Sequence, residues 1–361
     1  MPAVSVLVPC YNVEKYIRQC MDSIVNQTLR DMEIICINDG STDSTLAILQ
    51  EYAAYDSRVV IIDKSNSGYG DSMNKGLERA TGEYIGIIES DDWVELDMFE
   101  CLYSMALEHD CDMVKSGYYL YWSAPQERHE LIAAPQEYTD RLLLDEDYAD
   151  CTILAPSIWS AVYRREMLER WDIHFLTTPG ASYQDTSFYI KTWICSRSIY
   201  ISSKAWLRYR QDNMNSSVKS KNKIFAIVHE YRSVEDFIKK WALNQRWHSI
   251  KNKMKFSGYV WNFNRLNYAG RKRFLPIMQK DFRDILNSCT LSLFNEHDLH
   301  ILRQVSHFPN YFLLKASFLE WIKNNKQILK NLPFIDSLLP IGSRRREFVK
   351  KVVKNLYYRI R

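Results

Sequence analysis

Four short, nearly unbroken apolar runs punctuate the first ninety residues: Ala3–Val8, Glu33–Ile37, Val59–Ile62 and Tyr84–Ile88. Their length and makeup predict strands buried on both faces of a parallel sheet. Between them the apolar residues change rhythm. Tyr16, Ile17, Cys20, Met21 and Ile24 share one face of a predicted helix over residues 12–27, with Asn12 as its cap. Leu46, Leu49 and Ala53 mark a second helix, capped by Ser41 or Thr42, and Asp71–Arg79 a third, ending near Gly82. Strand–helix alternation with this period predicts right-handed βαβ units, hence an α/β fold with a mostly parallel sheet flanked by helices. Leu96, Phe99, Leu102, Tyr103 and Ala106 predict a further amphipathic helix. Residues 118–150 read as loop-rich, and Ile158–Tyr163 as a strand entering a helix. From Lys219 onward the period is helical, with no strand-like runs.

Charge divides the chain at nearly the same place. The net charge is only +3 over 361 residues, yet residues 1–120 carry 21 acidic against 8 basic side chains. Residues 219–361 carry 29 basic against 10 acidic. This asymmetry predicts two parts with two tasks: an α/β catalytic part, 1–218, and a basic helical part, 219–361. Hydrophobic residues at 46% and aromatics at 13% supply a large core and exclude wholesale disorder. No apolar run reaches the roughly 18–20 residues of a membrane span, and the first nine residues lack a basic leader. With eight scattered cysteines and no CxxC, the expectation is a cytoplasmic protein with reduced thiols. Within residues 344–361, Val349, Val352, Val353 and Leu356 recur at helical spacing among eight basic residues. That pattern suits a peripheral helix on an anionic membrane surface, and equally a solvated helix. Nucleic acid is not an expected partner: no recognition motif is present, and the acidic half would repel phosphates.

The candidate chemistry sits where predicted strands end. Glu89-Ser90-Asp91-Asp92 places three carboxylates in four positions, and uncompensated burial of such a cluster costs several kcal/mol. A hard divalent cation, Mg²⁺ or Mn²⁺, is the natural counter-charge, held by one or two carboxylates plus substrate phosphates. Tyr11/Asn12 and Asp39 tip the neighbouring strands, and ligands in open α/β sheets bind beyond such ends. Gly68, Gly70 and Gly76 do not form GxGxxG, and GxxxxGK[ST] is absent, so neither common nucleotide loop is present. Trp159 reads as a core residue in a strand, with stacking on an acceptor sugar the alternative. His297 and His300 read as structural.

Val4-Ser5-Val6-Leu7-Val8-Pro9-Cys10-Tyr11-Asn12, Asn38-Asp39-Gly40-Ser41-Thr42-Asp43, Asn74-x-Gly76, Gly82-Glu83-Tyr84 and Glu89-Ser90-Asp91-Asp92 follow one another over roughly residues 3–100. Together they resemble a family 2 glycosyltransferase of the GT-A fold, the kind that builds bacterial surface polysaccharide. The resemblance implies an inverting hexosyltransferase that uses a nucleotide-sugar donor, usually UDP-linked, and a divalent metal. Pro9, Tyr11 and Asp39 would hold the nucleobase, and Asn12, Asn74, Ser90 and Arg210 would complete the donor site. Asp91 would bind the metal with help from Glu89 or Asp92, with Asp212 a further ligand, and Asp91 and Glu89 would also face the donor, Glu89 near its ribose or sugar. Asp185, after a glycine-containing loop, would be the general base toward a hydroxyl of a glycan or lipid-linked glycan acceptor. The chain departs from the family pattern at Glu89 (usually Asp), Met73 (often Arg), Gln184 (usually Glu) and Asp212 (often His). Two alternatives stand beside this: a glycan- or nucleotide-sugar-binding protein with impaired catalysis, and a nucleotidyltransferase. The second would need a basic loop after the first strand, where Pro9–Asn12 holds no Lys, Arg or Gly.

Overall fold

The computed structural model describes residues 1–152, 156–213 and 223–324. Strand β1 (Val4–Cys10) is buried along its whole length and lies parallel to β2 (Met32–Asp39). Beyond β2, and parallel to it, comes β3 (Val59–Lys64), while β4 (Tyr84–Ile87) pairs parallel on the other side of β1. Helices α1 (Ile17–Val25), α2 (Thr45–Tyr55) and α3 (Tyr69–Arg79) make the crossovers. The chain continues through β5 (Trp93–Val94), α4 (Met98–Glu108), β6 (Met113–Trp122), β7 (Arg128–Ile132), β8 (Arg141–Leu142) and α5 (Tyr148–Thr152). It then runs through β9 (Ala161–Arg164), α6 (Arg165–Arg170), α7 (Gln184–Cys195) and β10 (Ile199–Arg210). Among the described residues the sheet order is β3-β2-β1-β4-β9-β6-β10-β5. Antiparallel β9 joins the parallel block to β6 and β10, which are parallel to each other.

Two expectations are corrected. Residues 118–150 are not mainly loop: β6 and β7 form an antiparallel hairpin there. Its first strand escapes a hydrophobicity reading because Lys115, Ser116 and Gly117 interrupt the apolar run. The Lys115 ammonium is buried and donates to the Ser157 carbonyl (2.6 Å), Ser157 Oγ (2.7 Å) and Ser160 Oγ (3.1 Å). Burial pulls its pKa down to about 7. Nor does Asn12 cap α1, which begins at Ile17. Its backbone takes a left-handed conformation (φ 52°), and its side-chain oxygen accepts from the Thr42 N–H at 2.8 Å, tying the β1 and β2 tips together.

The C-terminal region is helical as expected: α8 (Ala226–Lys240), α9 (Gln245–Arg265), α10 (Tyr268–Leu286), α11 (Glu296–His307) and α12 (Pro309–Asn324). The buried hydrophobic core runs continuously from Ala3 to Leu313, so these helices share the core of the α/β part. Trp171 meets Trp241 edge-on at 4.9 Å across the join. Part of the positive charge is internal. Lys255 is buried against Glu235 (2.8 Å) and Asp281 (2.9 Å), the pairing that a buried ammonium requires. His297 and His300 lie exposed on α11. Among the described residues, no helix is long and apolar enough to cross a membrane. The predicted boundary at 218/219 and the basic segment 344–361 lie outside the described residues.

One close approach fixes how the two walls of the site meet. A Cβ on Gly70, in the first turn of α3, would lie 1.9 Å from the Leu176 carbonyl oxygen. The neighbouring Gly68 has φ 96°, and the Tyr69 N–H donates to the Gly180 carbonyl at 3.2 Å. The 68–70 turn is therefore in backbone contact with the loop that leads to α7. Gly70→Ala should force these segments apart and cost about 2–3 kcal/mol. A thermal melt would show this as a drop of several degrees, and an unchanged melting temperature would contradict the contact.

Candidate active site

A cavity of about 980 Å³ opens beyond the C-terminal ends of β1, β2 and β4. From the sheet side Pro9, Tyr11, Asp39, Glu89, Ser90 and Asp91 line it; from the opposite side come Asp185 and its flanking residues. Two acid-tipped strands, the polar tip of β1 and a carboxylate far along the chain thus meet in one hollow, as the sequence led us to expect. Tyr11 is 52% exposed, leaving its ring open for stacking. Asp39 is buried and committed to the wall. Its two oxygens accept from the Ser67 and Gly68 N–H groups at 2.9 Å each, and the Lys64 ammonium pairs with it. It holds the 65–70 loop against the end of β2.

The acidic cluster separates into two layers. Glu89 and Asp91 face the cavity. Glu89 accepts from the Tyr69 hydroxyl at 2.7 Å, and Asp91 accepts from the Asn213 amide at 2.7 Å. Asp92 turns inward, accepting from the Arg210 N–H at 2.8 Å; its second oxygen has no hydrogen-bond partner among the described residues. Burial raises the Glu89 carboxyl to about 8 against the opposing Tyr69 bond, and the Asp91 and Asp185 charges add to the rise. Asp92 is raised as well, again chiefly by burial. So many carboxyls resisting ionisation define a hollow short of positive charge.

Four further expected donor or metal residues are engaged elsewhere. Arg210 is buried at 6% exposure; its guanidinium donates to the Asp91 carbonyl (2.9 Å) and to Gln19 (2.5 Å), between the rings of Tyr16 and Tyr121. It braces the acidic turn from behind instead of presenting a fork to a diphosphate. Asp212 accepts from the Ser123 N–H at 2.7 Å and from its hydroxyl at 2.5 Å, outside the cavity lining. Its neighbours Gln211 and Asn213 line the cavity in its place. Asn74 makes a two-way pair with the Phe175 backbone, donating to its carbonyl and accepting from its N–H at 2.9 Å each. Asn12 serves the loop tie described above. These residues set the geometry of the site and do not line it.

Asp185 stands in the first turn of α7, and burial raises its carboxyl to about 6. Gln184 folds the preceding loop: its amide donates to Thr178 Oγ1 (2.8 Å) and the Gly180 carbonyl (3.0 Å). Trp159 is both core and wall. It is 8% exposed and packs edge-on to Tyr118 at 4.6 Å, yet it lines the cavity. The sequence reading missed Tyr69, Asn213 and Glu230. Tyr69 sits between Gly68 and Gly70, which fit no dinucleotide-binding pattern. Glu230 carries no local signal: it is fully buried on α8, accepts from the Ser187 N–H at 3.3 Å, and is raised to about 7 by burial.

Among the described residues, no group of three or more His, Cys, Asp or Glu side chains converges as a ready-made metal cage. Two cavity-facing carboxylates do fit a cation that takes its remaining oxygens from phosphate and water.

The fold is the GT-A fold. Residues 5–172 match the family described as Glycosyl transferase family 2. EpsH of Bacillus subtilis (strain 168), a protein named as a glycosyltransferase, is 30% identical over 77% of this chain and 85% of its own length. EpsJ of the same organism is 36% identical over 48% of this chain; that alignment spans 52% of EpsJ, about half its length. Among solved structures, Staphylococcus aureus TarS residues 1–349 in complex with UDP-GlcNAc superposes with a TM-score of 0.66 at 19% identity. It covers 85% of this chain and 88% of its own, a likeness of fold. The chain belongs to glycosyltransferase family 2.

Proposed function

We propose that the chain transfers a hexosyl unit, with inversion, from a UDP-linked sugar to a hydroxyl of a glycan or lipid-linked glycan in bacterial surface-polysaccharide synthesis. The convergence of Asp39, Glu89, Asp91 and Asp185 on one cavity carries this reading. Tyr11 offers its open ring to the uracil, beside Pro9. Asp91, with Glu89 beside it, would hold Mn²⁺ or Mg²⁺, which when bound neutralises charge on the leaving diphosphate. Asp185 takes the proton of the acceptor hydroxyl. With its pKa near 6 it is ionised at neutral pH and still basic enough to share that proton in the transition state. Direct attack on the anomeric carbon needs no covalent intermediate. A lipid-linked acceptor would place the reaction at the inner face of the cell membrane, with the enzyme cytoplasmic or peripheral there.

A thermal-shift screen of nucleotide sugars with Mn²⁺ tests the donor. UDP-sugars should raise the melting temperature, and the shift should vanish with EDTA. No shift from any nucleotide sugar would overturn the reading. Since Asp185 acts deprotonated, kcat at saturating Mn²⁺ and donor, where the cation would keep Glu89 ionised, should climb with pH through about 6 and then level. A pH profile flat from 5 to 8 would exclude it as the base.

A further inference from the structure

The cavity is larger than the acidic half needs. At about 980 Å³ it reaches the top of the roughly 300–1,000 Å³ range of single small-ligand sites. Its second half is built by the helical region. Met254, Ser257, Gly258, Trp261 and Arg265 recur at three- and four-residue spacing along α9, so one face of that helix forms the wall. Trp261 lines the cavity and is 48% exposed, so its indole is open to a ligand. The wall reaches the proposed base directly through Tyr183. That residue lies two positions before Asp185 and meets Trp261 edge-on at 5.8 Å.

Tyr183 is held in an unusual way. Its φ of 66° is the left-handed conformation that bulky side chains avoid, and such conformations persist only where the surroundings enforce them. Here α9 does so. The Tyr183 hydroxyl donates to Asn262 Oδ1 at 2.8 Å, and the Arg265 guanidinium lies 5.1 Å from its ring and 5.3 Å from that of Trp261. Asn262 is itself fixed, donating to the Ile224 carbonyl at 3.0 Å. The outcome is a rigid aromatic corner with a guanidinium at its edge, one strained residue away from the loop-to-helix turn that carries Asp185.

We infer that Trp261, with Tyr183 and Arg265, is a subsite for a pyranose ring of the acceptor, rather than for its lipid. This rests on Asp185 being the base. A sugar ring offers an apolar C–H face to an indole and hydroxyls around its rim, and this corner offers one open indole face with Arg265 and Ser257 beside it. What favours a sugar over a prenyl or acyl chain is the polar rim, Arg265 and Ser257, beside the indole. The subsite makes the basic helical region part of acceptor selection.

Saturation-transfer NMR on the full chain, with methyl glucoside, methyl galactoside and methyl N-acetylglucosaminide as probes, tests the subsite. At least one probe should bind the wild type saturably. Trp261→Ala should weaken that binding roughly ten-fold or more, and Trp261→Phe should restore much of it. UDP affinity with Mn²⁺, read by calorimetry, should stay within two-fold in both variants. Melting curves identify any variant that fails to fold, in which case Arg265→Leu and Trp261→Phe supply the same comparison. No saturable signal from any probe, or equal binding in wild type and Trp261→Ala, would overturn the subsite. So would retained glycoside binding with lost retention on prenyl-phosphate vesicles, an outcome that assigns the corner to lipid. Failure of the transferase reading is separate: it would appear as absent UDP binding in the wild type.

Discussion

Asp185→Asn should lower turnover by roughly 10²–10⁴-fold while leaving donor affinity nearly unchanged. Asparagine keeps the size and the helix-start hydrogen bonding of the position, but it cannot take a proton. The same substitution should make the protein more stable at neutral pH. Burial raises the Asp185 pKa from 3.8 to about 6, so the folded state binds protons more tightly than the unfolded one. Stability from this group is therefore greatest below pH 4 and is lost as pH rises through 6. At pH 7.5 the ionised side chain opposes folding by an amount on the order of 1–3 kcal/mol, after allowance for its contact with cavity water. Removing the charge should raise the melting temperature at pH 7.5 and change it little at pH 4. Stopped transfer with a higher melting temperature is the signature of a residue kept for chemistry against its cost to the fold. Near-normal turnover would place the base elsewhere, and a fall in melting temperature would mean that Asp185 holds the turn together.

The parallel block was legible because a strand covered on both faces has little choice of residue. Val4–Cys10 and Met32–Asp39 are almost wholly buried, and their composition says so. The strands on the far side of β4 were less legible for a physical reason. In β6 a lysine satisfied by two serines from distant sequence replaces an aliphatic residue, and no local pattern announces such a long-range solution. The same distinction runs through the site. Sequence spacing located the acidic turn, yet it could not separate Asp91 from Asp92, adjacent carboxylates with opposite facings. Arg210 and Asn74 are in the expected neighbourhood, but the structure shows both engaged with protein partners. A polar side chain near a ligand site is as often the brace as the contact, and only its hydrogen-bond partners distinguish the two. Glu230 was invisible because its meaning depends on α8 packing against α7, a contact made by residues more than forty positions apart.

That difference between adjacent carboxylates gives the second large effect. Asp91→Asn should abolish metal-dependent donor binding, with UDP-sugar affinity in Mn²⁺ falling by roughly 10²-fold or more, the loss expected when a cation worth several kcal/mol is no longer held. The fold should tolerate the change. Asparagine can still accept from the Asn213 amide through its oxygen, and one fewer anion beside Glu89 eases a crowded pocket. Asp92→Asn is the informative partner. Asp92 lies behind the cavity with one oxygen on the Arg210 N–H, so its amide variant should bind donor within a few-fold of wild type. Calorimetric titrations of both variants with and without Mn²⁺ separate the two positions. Equal loss in both would mean that the cation sits deeper than the cavity wall. Wild-type affinity in Asp91→Asn would remove the metal from this site altogether and leave the anionic hollow to be neutralised by a cationic group of the substrate.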